Sequence, residues 1–83
     1  MMVAKIYITL KSGVLDPQGK TIHHALDSLG YNEVEGVRLG KYVLIHLKDG
    51  DPEEAKGRID EMCRKLLANP VIEEYRFEIQ GGV

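Results

Sequence analysis

Side chains able to do chemistry occur in this chain, but they do not fall into sets. Catalysis or metal binding needs a nucleophile, a base or several ligands held at reacting distance, so each polar residue is weighed against the structural work it could do instead. His23 and His24 are adjacent in a stretch of helical pattern, so their side chains diverge by about 100° and cannot share a metal as an i, i+4 pair can. Both read as surface or subunit-contact histidines. His46 stands alone on its strand face. Cys63 follows Met62 on an apolar stripe, where a thiol behaves as a small hydrophobe, and no paired base or ligand accompanies it. Glu53 and Glu54 belong to a helix start, and Glu73 and Glu74 to a strand edge, so capping and solvation suffice for them. Gly13, Gly19, Gly30, Gly36 and Gly40 spell neither G-x-G-x-x-G nor a phosphate loop ending in Gly-Lys-Ser/Thr, and Gly40-Lys41 reads as a turn. No catalytic residue, metal site or cofactor site is expected in this chain.

The elements that would position these groups follow from hydrophobic period. From Val3 to Lys11 the residues alternate, with Ala4, Ile6, Ile8 and Leu10 on one face and Lys5, Tyr7 and Thr9 on the other, which predicts a strand. Ser12 and Gly13 end it. Asp16-Pro17 then opens a helix, because Asp accepts from an unpaired N–H and Pro fits the first turn. That helix runs to about Leu29 with Ile22, Ala25, Leu26 and Leu29 as its apolar stripe, one face packing on the sheet, and Gly30 at its left-handed cap. Val34 to Arg38 and Lys41 to Lys48 both look like strand, separated by Leu39-Gly40. A tight hairpin is the preferred solution, and one long strand bent at Gly40 is the other. Val43, Ile45 and Leu47 should face the helices. Asp51-Pro52 repeats the helix start, and a second helix reaches about Ala68 with Ala55, Ile59, Met62, Cys63, Leu66 and Leu67 buried, stopped by Asn69-Pro70. A last strand covers Val71 to Gln80.

The stretches Tyr7 to Gly13 and Leu44 to Gly50 each lead into Asp-Pro and a helix, a weak internal repeat of a strand-helix-strand unit. The expected fold is α+β, a ferredoxin-like β-α-β-β-α-β arrangement with one antiparallel sheet and both helices on one face. Tyr7, Thr9, Tyr42 and Leu44 would then lie on the uncovered sheet face, partly apolar, and sheets packed face to face in a homodimer are expected there.

Composition agrees with an assembly partner. An 83-residue chain makes one domain, residues 1–83, and a domain this small buries only about 60 to 65% of the surface its unfolded chain exposes. Small chains without disulfides or metals often complete their core by oligomerising, so a homodimer or higher homo-oligomer is the default. A formal net charge of −2 with both signs interspersed gives no footprint for nucleic acid. No apolar run approaches a membrane span, and the first residues lack the run of a signal peptide. With one cysteine besides, the cytoplasm is the expected compartment.

Three junction blocks, Val14-Leu15-Asp16-Pro17-Gln18-Gly19, Gly30-Tyr31-Asn32-Glu33-Val34 and Val37-Arg38-Leu39-Gly40-Lys41-Tyr42, together with the segment from Cys63 to Tyr75, resemble in order and spacing the small subunit of phosphoribosylformylglycinamidine synthase. The resemblance implies a purine-pathway assembly in which a large synthetase subunit binds ATP, magnesium and the ribonucleotide, a glutaminase subunit releases ammonia, and the small subunit joins them. It also implies partner contacts at Leu15, Asp16, Pro17, Gln18 and Gly19, at Tyr31 and Asn32, and at Arg38, Gly40 and Lys41.

Two readings of the first block stay open. Leu15 could fold onto the helix as a hydrophobic staple. Alternatively the block is a docking loop, with Gly19 admitting a partner's backbone and Gln18 and Lys20 offering polar contacts. Arg38 is expected to be an exposed fork of donors, removable without harm to folding. Rival functions are an ACT-like regulatory dimer binding a small molecule, and a small dimeric-barrel enzyme using His46 or a tyrosine.

Overall fold

The alternation at the start of the chain becomes β1 (Met2–Leu10). In the computed structural model, which describes residues 1–81, β1 is the central strand of a three-stranded antiparallel sheet. β2 (Gly40–Leu47) lies along one edge, from Met2 opposite Leu47 to Thr9 opposite Gly40. β3 (Glu73–Gln80) lies along the other, from Val3 opposite Gln80 to Leu10 opposite Glu73. Pairing on both edges suits the strand whose inward residues Ala4, Ile6 and Ile8 are the most completely buried.

Both Asp-Pro pairs open helices, α1 (Pro17–Ser28) and α2 (Pro52–Met62). Asp16 accepts from the Gly19 N–H and Asp51 from the Glu53 N–H. α1 closes on Gly30 in the left-handed region (φ +99°), with the Tyr31 N–H donating to the Leu26 carbonyl and the Gly30 N–H to that of Asp27, both at 3.0 Å. The core is built where α2 crosses the sheet: Ile59 and Cys63 meet Ala4, Ile6 and Ile8, with Phe77 and Ile79 packed around them. Tyr75 ties β3 to α2 by donating to Asp60 at 2.6 Å.

Three details differ from the sequence reading. Neither the hairpin nor the long bent strand forms: β2 begins at Gly40, and residues 31–39 are irregular. The Val34 carbonyl and the Leu39 N–H find partners in His23 and Asp16 instead of on a strand. The ferredoxin-like sheet therefore has three strands, and β2 is left at its edge. Second, α1 makes no extensive contact with the sheet. Leu29 of its stripe is 73% exposed and Ile22 is exposed too, because the helix and residues 31–39 together form an arm off the sheet. The described residues have a radius of gyration of 16.4 Å and extents of 49 × 29 × 14 Å, against about 12 Å for a compact chain of this length.

Third, α2 does not continue as an α-helix to Ala68. Residues Cys63–Leu67 form a π-helix, and the Ala68 N–H donates to the Cys63 carbonyl at 2.9 Å, five residues back. The wider turn shifts the stripe by one position. Ala68 enters the core, Leu67 is half-buried, and Leu66, expected inside, is 82% exposed. The last strand begins at Glu73, not Val71, and Val71 lies in the turn before it, exposed.

This geometry makes a paired prediction for urea unfolding. Ile59→Ala should lower stability by about 2–5 kcal/mol through the cavity it leaves, whereas Leu66→Ala should change it by less than about 0.5 kcal/mol. Similar losses at the two positions would mean that Leu66 is part of the core.

Candidate functional site

β1 ends, and β2 and β3 begin, at the same end of the sheet, so the segments that flank those strand ends are brought together. Asp16 is at the centre of this junction and is buried. One carboxylate oxygen accepts from the Gly19 N–H at 2.8 Å, closing α1, and the other accepts from the Leu39 N–H at 2.8 Å, one residue before β2. Those two N–H groups, Leu39 first, hold the Asp16 carboxyl below the ordinary carboxylate range. Gly19 is required by the same contact. A Cβ there would collide with the Val37 carbonyl oxygen and come within 2.7 Å of Asp16 Oδ2. Further along α1, His23 Nε2 lies 2.9 Å from the Val34 carbonyl, which takes the N–H of that ring nitrogen. Asp16, Gly19 and His23 thus zip one side of α1 to residues 34–39.

Arg38 is also spent within the chain. Its guanidinium donates to the Val14 carbonyl at 2.9 Å and to the Lys11 carbonyl at 3.1 Å, clamping the turn that leads into α1. Arg38→Ala would therefore loosen that turn, contrary to the expectation of a fork free for a partner. Lys11 in turn donates through Nζ to the Pro70 carbonyl at 2.6 Å and through its backbone N–H to the Ile72 carbonyl at 2.8 Å. Lys41 pairs with Glu73 at 3.3 Å. Glu73 is held below its ordinary range first by the Asn69 N–H and then by Lys41. The first and third junction blocks and the segment from Cys63 to Tyr75 therefore meet at one end of the molecule.

The second block does not join them. Tyr31 and Asn32 sit beyond the far end of α1, a helix of 12 residues and so about 18 Å long, with Tyr31 exposed. Leu15 is 61% exposed, so it is not buried as a staple on the helix, and Pro17 and Gln18 are exposed as well. Gly19 admits the chain's own Val37 carbonyl and not a partner's backbone. Gly40 is held against β1, where a Cβ would come within 2.7 Å of the Ile8 carbonyl oxygen.

On the open sheet face, Tyr7 and Tyr42 stand with ring centroids 5.1 Å apart, and the Arg76 guanidinium lies 4.0 Å over the Tyr7 ring. Desolvation, and then the Glu78 carboxylate, push the Tyr7 phenol above its usual value. Thr9, Tyr42 and Leu44 are exposed beside it. Sequence reasoning missed Arg76 and Glu78 as members of this cluster. The signal was their strand alternation opposite Tyr7, since Arg76 is its register partner. Cys63 is fully buried, and burial raises its thiol pKa. Among the described residues no group of three or more His, Cys, Asp or Glu side chains could hold a metal ion, and no helix is long and apolar enough to cross a membrane.

Asp16, Asp60, Glu61 and Glu73 are all held below their ordinary carboxylate values in the folded chain. The unfolded chain therefore takes up protons first, and their stabilisation is complete above the unfolded values and lost as pH falls through the folded ones. The urea midpoint should be level above about pH 5 and drop below about pH 4.5, the ordinary Glu value. The acid limb should be shallower in Asp16→Asn, which has no proton to take up; an unchanged slope would mean that Asp16 is not held by Leu39 and Gly19.

Comparison with known proteins gives this junction a family. The model of the family described as phosphoribosylformylglycinamidine (FGAM) synthase, PurS, matches residues 3–81. The phosphoribosylformylglycinamidine synthase subunit PurS of Bacillus subtilis is 49% identical over 83 residues, covering 100% of this chain and 98% of that protein. Its counterpart in Methanocaldococcus jannaschii is 44% identical over 96% of each. The solved structure of M. jannaschii PurS superposes with a TM-score of 0.90 at 42% identity over the whole of both chains. A PurLQS structure from Thermotoga maritima contains a chain that matches at TM-score 0.84 and 30% identity, over 96% of this chain and 99% of that one. The chain belongs to the PurS family, a subunit of phosphoribosylformylglycinamidine synthase.

Proposed function

We propose that the chain acts as a non-catalytic bridge, pairing with a second copy and joining the large synthetase subunit to the glutaminase subunit so that ammonia passes between them without escaping. The observation that carries this reading is an apolar surface divided between two places that one copy does not bring together. One is the α1 stripe of Ile22, Ala25 and Leu29, exposed on the arm. The other is a cleft of about 550 Å³ between α2 and the inner face of β2, floored by Met2, Leu47, Ala55 and Met62. Val43 and Ile45 on the same strand are half-covered. A helix of the right character from a second copy would complete the layer, and the mixed rim of Asp49, Asp51, Glu54, Lys48 and Arg58 offers charge partners to Lys20 and Asp27 on α1. The exposed face of Tyr7, Thr9, Tyr42 and Leu44 then serves for packing sheet against sheet in a homodimer or higher homo-oligomer.

Bridging has a chemical purpose. Ammonia reaching bulk water becomes ammonium, which is not a nucleophile, so the path between two active sites must exclude solvent. In this reading ATP and magnesium belong to the synthetase subunit. The exposed Leu15, Pro17, Gln18, Tyr31, Asn32 and Lys41 contribute the contacts, Asp16, Gly19, Arg38 and Gly40 hold the junction in shape behind them, and the chain works in the cytoplasm without nucleic acid or membrane. The Thermotoga PurLQS structure supports a place in such an assembly.

Native mass spectrometry of the purified chain should give at least twice the mass of one copy, and Ile22→Glu combined with Leu29→Glu should lower that mass by breaking the seating of α1 in the cleft. In a reconstituted synthase, omitting the chain should slow glutamine-driven synthesis by about tenfold or more and leave synthesis from free ammonia unchanged. A wild-type monomer would remove the pairing, and equal glutamine-driven rates would remove the bridge.

A further inference from the structure

The joint between β2 and α2 is Lys48-Asp49-Gly50-Asp51, and the pair at its middle is placed for an uncatalysed reaction of the backbone. An aspartyl carboxyl is open to attack by the nitrogen of the next residue when that nitrogen carries a hydrogen, no side chain obstructs it, and no regular structure holds it away. Asp49 stands in a bend with its side chain 85% exposed. Gly50 brings no side chain, and no acceptor among the described residues takes its N–H. The Met1 ammonium pairs with the Asp49 carboxylate, but this contact is exposed and exposed pairs hold weakly. Each other aspartate fails a condition. Asp16 and Asp51 precede proline, whose nitrogen has no hydrogen. Asp27 and Asp60 lie within α1 and α2, where the N–H groups that follow them point along the helix and belong to residues with side chains, Ser28 and Glu61.

We propose that Asp49 is a site of spontaneous isomerisation to isoaspartate, and that the product loosens the joint between β2 and α2. The Gly50 nitrogen bonds to Cγ of the protonated Asp49 carboxyl, and the carboxyl OH leaves as water with the hydrogen of that nitrogen, closing a five-membered succinimide. Water then adds to one of the two ring carbonyls. Opening at Cγ restores aspartate. Opening at the main-chain carbonyl breaks its bond to the Gly50 nitrogen, so that the chain now runs through Cβ and Cγ and a new carboxylate sits on Cα. The composition is unchanged, no oxidant or cofactor enters, and the main chain is one carbon longer. That carbon falls where the helix is anchored. Asp51 accepts the Glu53 N–H on its side chain and the Ala55 N–H on its carbonyl, both at 3.0 Å, so a longer link to β2 shifts the cap on which α2 starts. Asp49 and Gly50 also line the cleft between α2 and β2. The inference does not depend on the bridging reading.

The backbone does not demand glycine here. Gly50 lies outside the left-handed region, and a Cβ added to it would meet only the Met2 side chain, at an ordinary 3.8 Å. Gly50→Ala should therefore keep the wild-type thermal transition and slow ring closure about tenfold, the effect of a small rise in its barrier. The test incubates the full chain and this variant in neutral buffer at body temperature, with a peptide of residues 46–53 as the clock. Electron-transfer fragmentation then locates isoaspartate, which has the mass of aspartate. Isoaspartate should appear at Asp49 ahead of Asp16, Asp27, Asp51 and Asp60, and the converted chain, separated by ion exchange, should melt below the unconverted one. No conversion at Asp49 by the time the peptide has converted, earlier conversion at another aspartate, or an equal rate in a folded Gly50→Ala would overturn the site. If that variant unfolds, the order of conversion in the wild-type chain decides alone. An unchanged thermal transition in the converted chain would overturn the loosening of the joint.

Discussion

Asp16 is a buried carboxylate with two obligations, and the arrangement of the chain turns on its meeting both. Removing a charged group from water is costly unless each oxygen keeps a hydrogen-bond donor. Here one oxygen takes the Gly19 N–H and the other the Leu39 N–H. The first fixes where α1 begins and the second fixes where the returning chain meets that helix, one residue before β2. Because Val37 also packs its carbonyl onto Gly19, the helix start and the strand start are locked at a separation that admits no side chain. The junction is therefore rigid where the arm leaves the sheet.

That rigidity explains how an 83-residue chain holds an elongated shape. The core under α2 is small, built around Ile6, Ile8, Ile59 and Cys63. Apolar residues that could have enlarged it, Ile22 and Leu29, are carried away on the arm, while the inner face of β2 is left half-covered. A chain in this state has its hydrophobic free energy divided between a closed core and surfaces that gain only when another chain covers them. The same division appears at the other helix, where the π turn exchanges Leu66 for Ala68 in the core. The side chains that elsewhere suggest chemistry have structural occupations: His23 on Val34, Cys63 in the core, Asp60 between Tyr75 and Arg64. A subunit defined by its shape fits these observations, and membership of the PurS family agrees with it.

Much of this was legible in local patterns. Asp-Pro marked both helix starts because capping acts within one turn, and Gly30 marked the end of α1 because the αL cap needs a residue without a Cβ. Alternation placed Ala4, Ile6 and Ile8 inside and Tyr7 outside, since a strand's period is set by its own backbone. Misreadings arose where a distant group competed with the local preference. Residues 34–38 have strand character, yet the Val34 carbonyl is taken by His23 on α1 and the Leu39 N–H by Asp16. Arg38 looked like a free fork, yet two carbonyls of the turn at residues 11–14 lie within its reach. Leu66 fell in the helical stripe at the expected spacing, and a one-residue widening of the turn moved it out.

Sequence alone determined where both helices begin, how α1 is capped at each end, which face of β1 turns inward, and the family to which the junction blocks point. These follow from interactions between residues close along the chain, or from blocks that can be matched by type and spacing. Tertiary structure decided that three of the four blocks share one end of the sheet, that α1 leaves the sheet instead of covering it, and that Leu66 and Val71 stand outside. Those outcomes depend on which distant donor satisfies which acceptor, a competition settled only when Asp16, Leu39, Lys11 and Asn69 are placed together in space.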